Sequence, residues 1–497
     1  MESTITAAAE FQVGELDRRI FGGFAEHLGR CVYEGMYDPG SLLSDEQGYR
    51  RDVLSALKRL EMPVMRYPGG NFVSCYDWRD GVGPKENRPK RVDYAWGSIE
   101  SNQFGVDEFM PWCRKLGTEP IMAINLGTLG TTEAAQLLEY CNLPKGTYWA
   151  DQRVKNGHAD PYKIKYWCLG NEMDGPWQAG HVPAHHYALR ANASSRMMKG
   201  LDSSIETIVC GSCTNTLPTY LDWDRTVLQD CWETIDYVSA HRYSSNEKNE
   251  SPEFLAEGIN IDRVLADYSA VIDYVRGVRK SKKKVYVCFD EWNVWYRQRD
   301  GSSEWVEAPH ILEEIYNLED ALVVAQYLNA FIRRADLVKI ACIAQIVNVI
   351  APIMTSKNAL VLQTIFHPFE MIVQHSGDRA LKLVVTCPTY AAGKLGEAPT
   401  LDAAGTYCTR TGRVMLSVVN RSMTDAQDVT LRLLDRKPTS ISFASQTTGD
   451  DLKAANTFDN PNAVTPSPVK AVIEGAAIRI SLPKTSHAVV VVETAGR

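Results

Sequence analysis

From about residue 19 onward the chain alternates short runs of β-branched and aromatic residues with longer stretches whose apolar positions recur at helical spacing. The short runs fall at residues 20–25, 63–67, 120–124, 164–169, 207–210, 237–240, 285–289 and 339–344. Helical period marks residues 52–60, 106–116, 132–140, 184–198, 261–279 and 320–334 between them. Strands that alternate with helices in this way build parallel β/α units. Eight such units close most economically into a barrel, with a doubly wound sheet as the lesser alternative.

Past residue 376 the texture changes. Alternating runs at 380–386, 406–409, 414–419, 426–433, 477–482 and 488–493 are separated by turn residues and predict an antiparallel sandwich. Ser3 to Ala7 alternates too and is placed with it as an added strand. The expected architecture is α/β: a (β/α)8 TIM barrel over residues 16–376, with a C-terminal, jelly-roll-like β-sandwich domain made from residues 1–15 and 377–497.

Composition narrows the class. An apolar fraction of 44% and a charged fraction of 23% in 497 residues are average for a globular protein and supply ample core. A net charge of -8, with no basic run longer than Lys282-Lys283-Lys284, argues against a nucleic-acid partner. The greasiest stretch, 340–354, is too short to cross a membrane and contains Gln345 and Asn348. With no basic-then-apolar leader at its start, the chain is expected to be cytoplasmic. Cys168, Cys288 and Cys342 lie inside apolar runs and are expected to be reduced core residues.

A barrel does its chemistry at the C-terminal ends of its strands, so the residues after each run matter most. They are Glu26 and His27; Arg66 and the Pro68-Gly69-Gly70-Asn71 turn; Asn125; Asn171-Glu172; His241 and Tyr243; Asp290-Glu291-Trp292-Asn293; and Gln345 with Asn348. A lone Asn or Glu there is usually a helix cap or a solvated loop residue. Seven polar strand ends in one chain are harder to assign that way. Glu172 and Glu291 follow the fourth and seventh runs directly, among Trp292, Trp295 and Tyr296. Glycosidic bonds are cleaved by such a pair: one carboxyl protonates the departing oxygen and the other attacks the anomeric carbon. Two neighbouring carboxyls share one proton more readily than they carry two charges, which suits that division of labour.

Leu169-Gly170-Asn171-Glu172 and Asp290-Glu291-Trp292 resemble the glycosidase clan with catalytic glutamates on strands four and seven. Residues 21–30, Arg66-Tyr67-Pro68-Gly69-Gly70-Asn71, Asp77-Trp78 and residues 80–84 narrow the resemblance to the α-L-arabinofuranosidases of glycoside hydrolase family 51. The resemblance covers essentially the whole chain. It implies a retaining, exo-acting enzyme that releases arabinofuranose from arabinoxylan or arabinan oligosaccharides, with Glu172 as acid/base and Glu291 as nucleophile. It further implies that Glu26, Asn71, Asn171, Tyr243 and Gln345 hold sugar hydroxyls, that Arg66 and His241 support the carboxylates, and that Trp96 and Trp295 line the aglycone side. No cofactor and no metal is implied, and the family points to a homo-oligomer, a hexamer. Tyr67 and Asn71, where many members carry Trp and Cys, set this chain in another branch.

Other motifs carry less. Cys210 and Cys213 have metal-type spacing but no second pair; His181, His185 and His186 lack the intervening glutamate of a zinc protease; and the glycine clusters lack a phosphate-loop pattern. Competing readings are a β-xylosidase or endo-β-glucanase using the same carboxylates, a non-catalytic carbohydrate-binding protein, and a metal-dependent barrel hydrolase. The last is disfavoured by the lack of a His-x-His on the first strand.

Overall fold

A computed structural model describes residues 3–296 and 305–496. Eight parallel strands close into a barrel: β1 (Gly22–Phe24), β2 (Val64–Tyr67), β3 (Glu119–Ala123), β4 (Tyr166–Leu169), β5 (Glu206–Val209), β6 (Tyr237–Ser244), β7 (Tyr286–Val294) and β8 (Val338–Ala344). Each pairs in parallel with its sequence neighbour, and β8 closes onto β1. All eight predicted runs are strands. Alternate residues fill the barrel interior, among them Phe24, Val64, Ile121, Tyr166, Cys168, Ile208, Tyr237, Cys288, Ile340 and Cys342. The opposite faces meet the helices, as a strand buried on both sides requires.

Two strands run further than their apolar runs indicate. β6 continues through His241 to Ser244, and β7 continues through Glu291 to Val294. The pairing explains how. Ser239 faces Cys288 while His241 faces Glu291, so two steps on β6 match three on β7. On the other side Phe289 faces Ala341 while Trp292 faces Ile343, again three steps against two. β7 therefore holds one extra residue around Asp290, a bulge that changes which face the following side chain takes.

Helices follow the strands on the outside. The six predicted ones appear as Arg51–Arg59, Val106–Leu116, Thr131–Asn142, Ala184–Leu201, Gly258–Val278 and Leu318–Arg333, joined by Tyr148–Lys155, Asp222–Cys231 and Phe366–His375. Leu318–Arg333 is capped reciprocally: Asp320 N–H donates to Asn317 Oδ1 at 3.2 Å and Asn317 N–H to Asp320 Oδ2 at 2.8 Å. Leu318 to Ile332 is buried on every side, because the helix lies between the barrel and the sandwich strand Leu401–Tyr407.

The second unit is two sheets. One orders Val384–Thr386, Ser3–Ala7, Gln427–Leu433, Ala477–Leu482 and Lys470–Glu474; the other orders Gln12–Glu15, Arg379–Leu381, Leu401–Tyr407, Val414–Asn420, Ser486–Gly496, Arg436–Thr448 and Ser467–Pro468. Ile5, Leu416, Leu431, Ile480 and Val490 pack between them. The expectation of a purely antiparallel sandwich is corrected at one place: Ser3–Ala7 runs parallel to Gln427–Leu433. No hairpin joins those two strands, so no turn imposes the antiparallel sense.

Candidate active site

The barrel's period-two alternation delivers most of the polar groups. Arg66 lies two residues beyond the inward Val64, and its guanidinium stacks 4.5 Å over the Phe24 ring. Ser239 and His241 continue the inward face begun by Tyr237, and Asp290 that begun by Cys288. The extra residue in β7 then turns Glu291 inward as well. Two consecutive carboxylates thus meet one guanidinium: Arg66 Nη1 lies 2.6 Å from Glu291 Oε1 and Arg66 Nε 3.1 Å from Asp290 Oδ2. The third arm donates to Asn171 Oδ1 at 2.6 Å.

Glu172 approaches from the end of β4 through Gly170 and Asn171. Gly170 has φ +91°, a left-handed conformation natural to glycine, and Glu172 itself has φ +44°, which a residue with a side chain seldom adopts. Such strain is held in place by the surroundings and is typical of functional positions. Here the surroundings are His241 Nδ1, 3.0 Å from Oε1, and the Trp177 indole, whose N–H donates to Oε2 at 3.0 Å. His241 Nδ1 also lies 3.5 Å from Glu291 Oε2, and its Nε2 lies 3.3 Å from Asp290 Oδ1. Tyr243 O–H donates to Glu291 Oε2 at 2.9 Å.

Charge balance sets the proton affinities of this cluster. Burial works against an ionised Asp290, yet Arg66 and His241 outweigh it and bring the pKa down to about 2. Burial opposes an imidazolium at His241, but Glu291 and Asp290 raise its pKa well above the ordinary value. Burial raises Glu291, with the neighbouring Glu172 adding to the rise and His241 and Arg66 opposing it.

A second cluster adjoins the first. Glu26 accepts from the Phe72 backbone N–H at 3.0 Å, from Trp96 Nε1 at 2.9 Å and from Gln345 Nε2 at 3.1 Å. Burial, reinforced by the charge of Glu291, pushes its pKa up to about 8. Asn171 Nδ2 reaches Asn71 Oδ1 at 3.4 Å, and the Trp295 ring packs edge-on against Tyr243 at 5.0 Å. All eleven residues singled out from the sequence therefore surround one barrel mouth. Asp290, Trp177 and Ser239 belong to it as well and were not singled out. Asp290 was visible only as the neighbour of Glu291, and strict alternation would have sent one of the two away from the site. Trp177 stands five positions past Glu172 in a loop with no periodic signal.

One oxygen each of Glu172 and Glu291 and a nitrogen of His241 lie within 4.8 Å of one another, the one such grouping of metal-ligand type found among the described residues. Such a grouping is invisible along the chain, because these three converge from different strands. Both oxygens of Glu291 already receive donors, Arg66 on one and Tyr243 on the other. The other motifs set aside earlier stay apart: Cys210 and Cys213 are free and buried, His185 pairs with Asp230 at 2.6 Å, and His181 bonds the Met173 carbonyl.

Comparison with known proteins places this geometry in context. The model of the α-L-arabinofuranosidase 1 domain matches residues 56–257, and that of the α-L-arabinofuranosidase C-terminal domain matches residues 290–486. The chain is 44% identical over 459 residues to an intracellular exo-α-(1→5)-L-arabinofuranosidase of Bacillus subtilis, covering 92% of each. It is 40% identical to an exo-α-(1→6)-L-arabinofuranosidase of Bifidobacterium longum, covering 98% of this chain and 96% of that one. Among solved structures, a family 51 α-L-arabinofuranosidase from Bifidobacterium longum superposes with a TM-score of 0.95 at 38% identity over 99% of both chains.

Proposed function

This chain belongs to the α-L-arabinofuranosidases of glycoside hydrolase family 51, and from that premise we propose that it releases terminal arabinofuranose from arabinan or arabinoxylan oligosaccharides by double displacement, with retention. The observation that carries the mechanism is the closeness of the two carboxyls: oxygens of Glu172 and Glu291 lie within 4.8 Å. Retaining enzymes hold their carboxyls about 5 to 5.5 Å apart, whereas inverting ones leave about 6.5 to 9.5 Å for a water.

Each residue has a role consistent with its contacts. Glu291, fixed by Arg66 and Tyr243, attacks the anomeric carbon as Glu172 gives its proton to the departing oxygen. The His241 contact on Oε1 leaves Glu172 Oε2, beside Trp177, to carry that proton. Water then attacks the glycosyl ester, Glu172 takes the water's proton, and Glu291 departs as a carboxylate. Glu26, Asn71, Asn171, Tyr243 and Gln345 bind the sugar hydroxyls, and Trp96 and Trp295 bound the aglycone. Residues 16–376 form the catalytic unit, with 1–15 and 377–497 as the sandwich. The Bacillus subtilis relative named above as intracellular supports work on imported oligosaccharides in the cytoplasm. A homo-oligomer, the family's hexamer, is the expected assembly, and a monomeric mass in light scattering would reject it.

The test is p-nitrophenyl α-L-arabinofuranoside hydrolysis by wild type, Glu172→Ala and Glu291→Ala, with and without azide. Azide is expected to restore Glu172→Ala with the retained α-azide as product, and Glu291→Ala with the inverted β-azide. Near-normal activity in both variants without azide would remove the assignment. A matching panel of β-xyloside and β-glucoside substrates checks the specificity, which fails if either is turned over as fast as the arabinofuranoside.

A further inference from the structure

Asp290 is a buried carboxylate of the mouth whose side-chain partners are Arg66, Cys168, Ser239 and His241 rather than the sugar-binding residues. Its relative exposure is 1%, and each of its contacts is a group that in turn supports a catalytic carboxyl or lines the barrel. Oδ2 faces Arg66 Nε at 3.1 Å, and Cys168 Sγ lies 3.7 Å away. Oδ1 accepts from Ser239 O–H at 2.5 Å and faces His241 Nε2 at 3.3 Å. The far side of His241 reaches Glu172 at 3.0 Å and Glu291 at 3.5 Å, and the far side of Arg66 reaches Glu291 at 2.6 Å.

We infer that Asp290 is a positioning residue of the reaction, which keeps His241 doubly protonated and fixes His241 and Arg66 so that they align and charge-balance Glu172 and Glu291. The inference rests on the catalytic roles proposed above for the two glutamates. An imidazole with one proton could donate to Asp290 or to Glu172, but not to both; an acceptor oxygen faces each ring nitrogen, Asp290 Oδ1 on one side and the unprotonated Oε1 of Glu172 on the other, and only the imidazolium donates to the two. With Glu172 carrying its proton, the anions Asp290 and Glu291 face the cations Arg66 and His241. Removing the charge of Asp290 leaves one anion against two cations, and that imbalance is relieved by loss of the His241 proton.

The anions around His241 act in the same sense, and Arg66 alone opposes them. Glu172 and Cys168 approach from β4 and its end, Arg66 from β2, and Asp290 and Glu291 from β7. Ser239 and Tyr243 lie on its own strand, and Cys213, beyond β5, lies under the influence of Glu172 and Glu291. Arg66 is the sole cation among them and already has two carboxylate partners, so the burden of neutralising Asp290 falls on both Arg66 and His241.

The test combines kinetics with histidine 15N NMR on the full-length protein. The His241 signal is assigned by its disappearance in His241→Asn. In wild type both ring nitrogens are expected to be protonated at about pH 7 to 8, above the ordinary histidine range. In Asp290→Asn, which preserves shape and removes charge, the ring is expected to titrate at lower pH. The alkaline limb of kcat/KM should move down by on the order of one pH unit, and kcat should fall on the order of 10- to 100-fold with KM within about threefold. Asp290→Glu restores the charge and is expected to recover part of kcat and of the pH limb. A neutral His241 ring in wild type at about pH 7 overturns the inference without any variant having to fold. An Asn variant with an unmoved pH limb overturns it as well. Activity retained by Glu172→Ala and Glu291→Ala would instead overturn the underlying catalytic assignment, an outcome separate from the state of the His241 ring.

Discussion

A methyl group at position 70 would stand 2.9 Å from Glu291 Oε1, 3.3 Å from Glu26 Oε2 and 3.4 Å from Asn171 Nδ2. Glycine there is a matter of room: the backbone of the β2 turn forms a wall against the nucleophile, and its neighbours are held by Arg66 and by the donors on Glu26. Gly70→Ala is therefore expected to cut kcat/KM on the order of 10- to 100-fold, because a small misplacement of a reacting group is expensive, while the melting temperature changes little. A second expectation concerns Glu26, whose pKa stands at about 8 against about 4.3 in the unfolded chain. The folded site prefers the protonated acid, so its contribution to stability is complete below about pH 4 and is lost as pH rises through about 8. Thermal melts from about pH 6 to pH 9 should show wild type losing stability relative to Glu26→Gln, which carries no titrating proton. Parallel curves would mean that Glu26 is ionised throughout.

At the scale of elements, the cap of the Leu318–Arg333 helix offers a clean measurement. Asn317→Ala removes the side-chain acceptor for the Asp320 N–H and is expected to cost about 1 kcal/mol in denaturant unfolding. That helix was legible in the sequence, as were the eight barrel strands, because long periodic segments and buried parallel strands leave strong apolar signals. Three helices of eight or more residues were not. Tyr148–Lys155 and Asp222–Cys231 are short and polar, and Phe366–His375 carries Pro368 in its first turn. The strand Arg436–Thr448 was also missed, since register shifts at Pro438/Ser440 and Ile441/Phe443 break its alternation and much of it is exposed. At the site, Glu172, Glu291 and the nine residues around them were legible from strand ends and from family motifs. Asp290 was not, because a one-residue bulge has no signature in an apolar pattern; it appears only in the unequal steps of β7 against both neighbours.

Across the whole molecule, the barrel and the sandwich are joined by a buried ionic knot. Asp402, on the sandwich strand Leu401–Tyr407, accepts from Asn329 at 2.7 Å and lies 3.1 Å from Arg333, both on the Leu318–Arg333 helix. Arg421 lies 2.9 Å from the same Oδ2 that Arg333 faces, and its Nε donates to Gln326 of that helix at 3.0 Å. Asp402→Ala strands the buried Arg421 and is expected to destabilise the protein by about 3 to 5 kcal/mol. A loss under about 1 kcal/mol in equilibrium unfolding would show that the two units hold together by apolar contact alone.

The parallel pairing of Ser3–Ala7 with Gln427–Leu433 also sets a timetable for biosynthesis. Ser3 meets Val429, so this strand must wait for more than four hundred further residues to be translated. At about 5 to 20 residues per second that interval is roughly 20 to 85 seconds. The barrel strands are complete by Ala344 and can close within that time, leaving an apolar strand, with Ile5 and Ala7 destined for the core, bare beside a folded body. Nascent chains stalled before residue 384, ahead of both its partner strands, should consequently expose this segment to proteases and holdase chaperones, and synthesis past residue 433 should protect it.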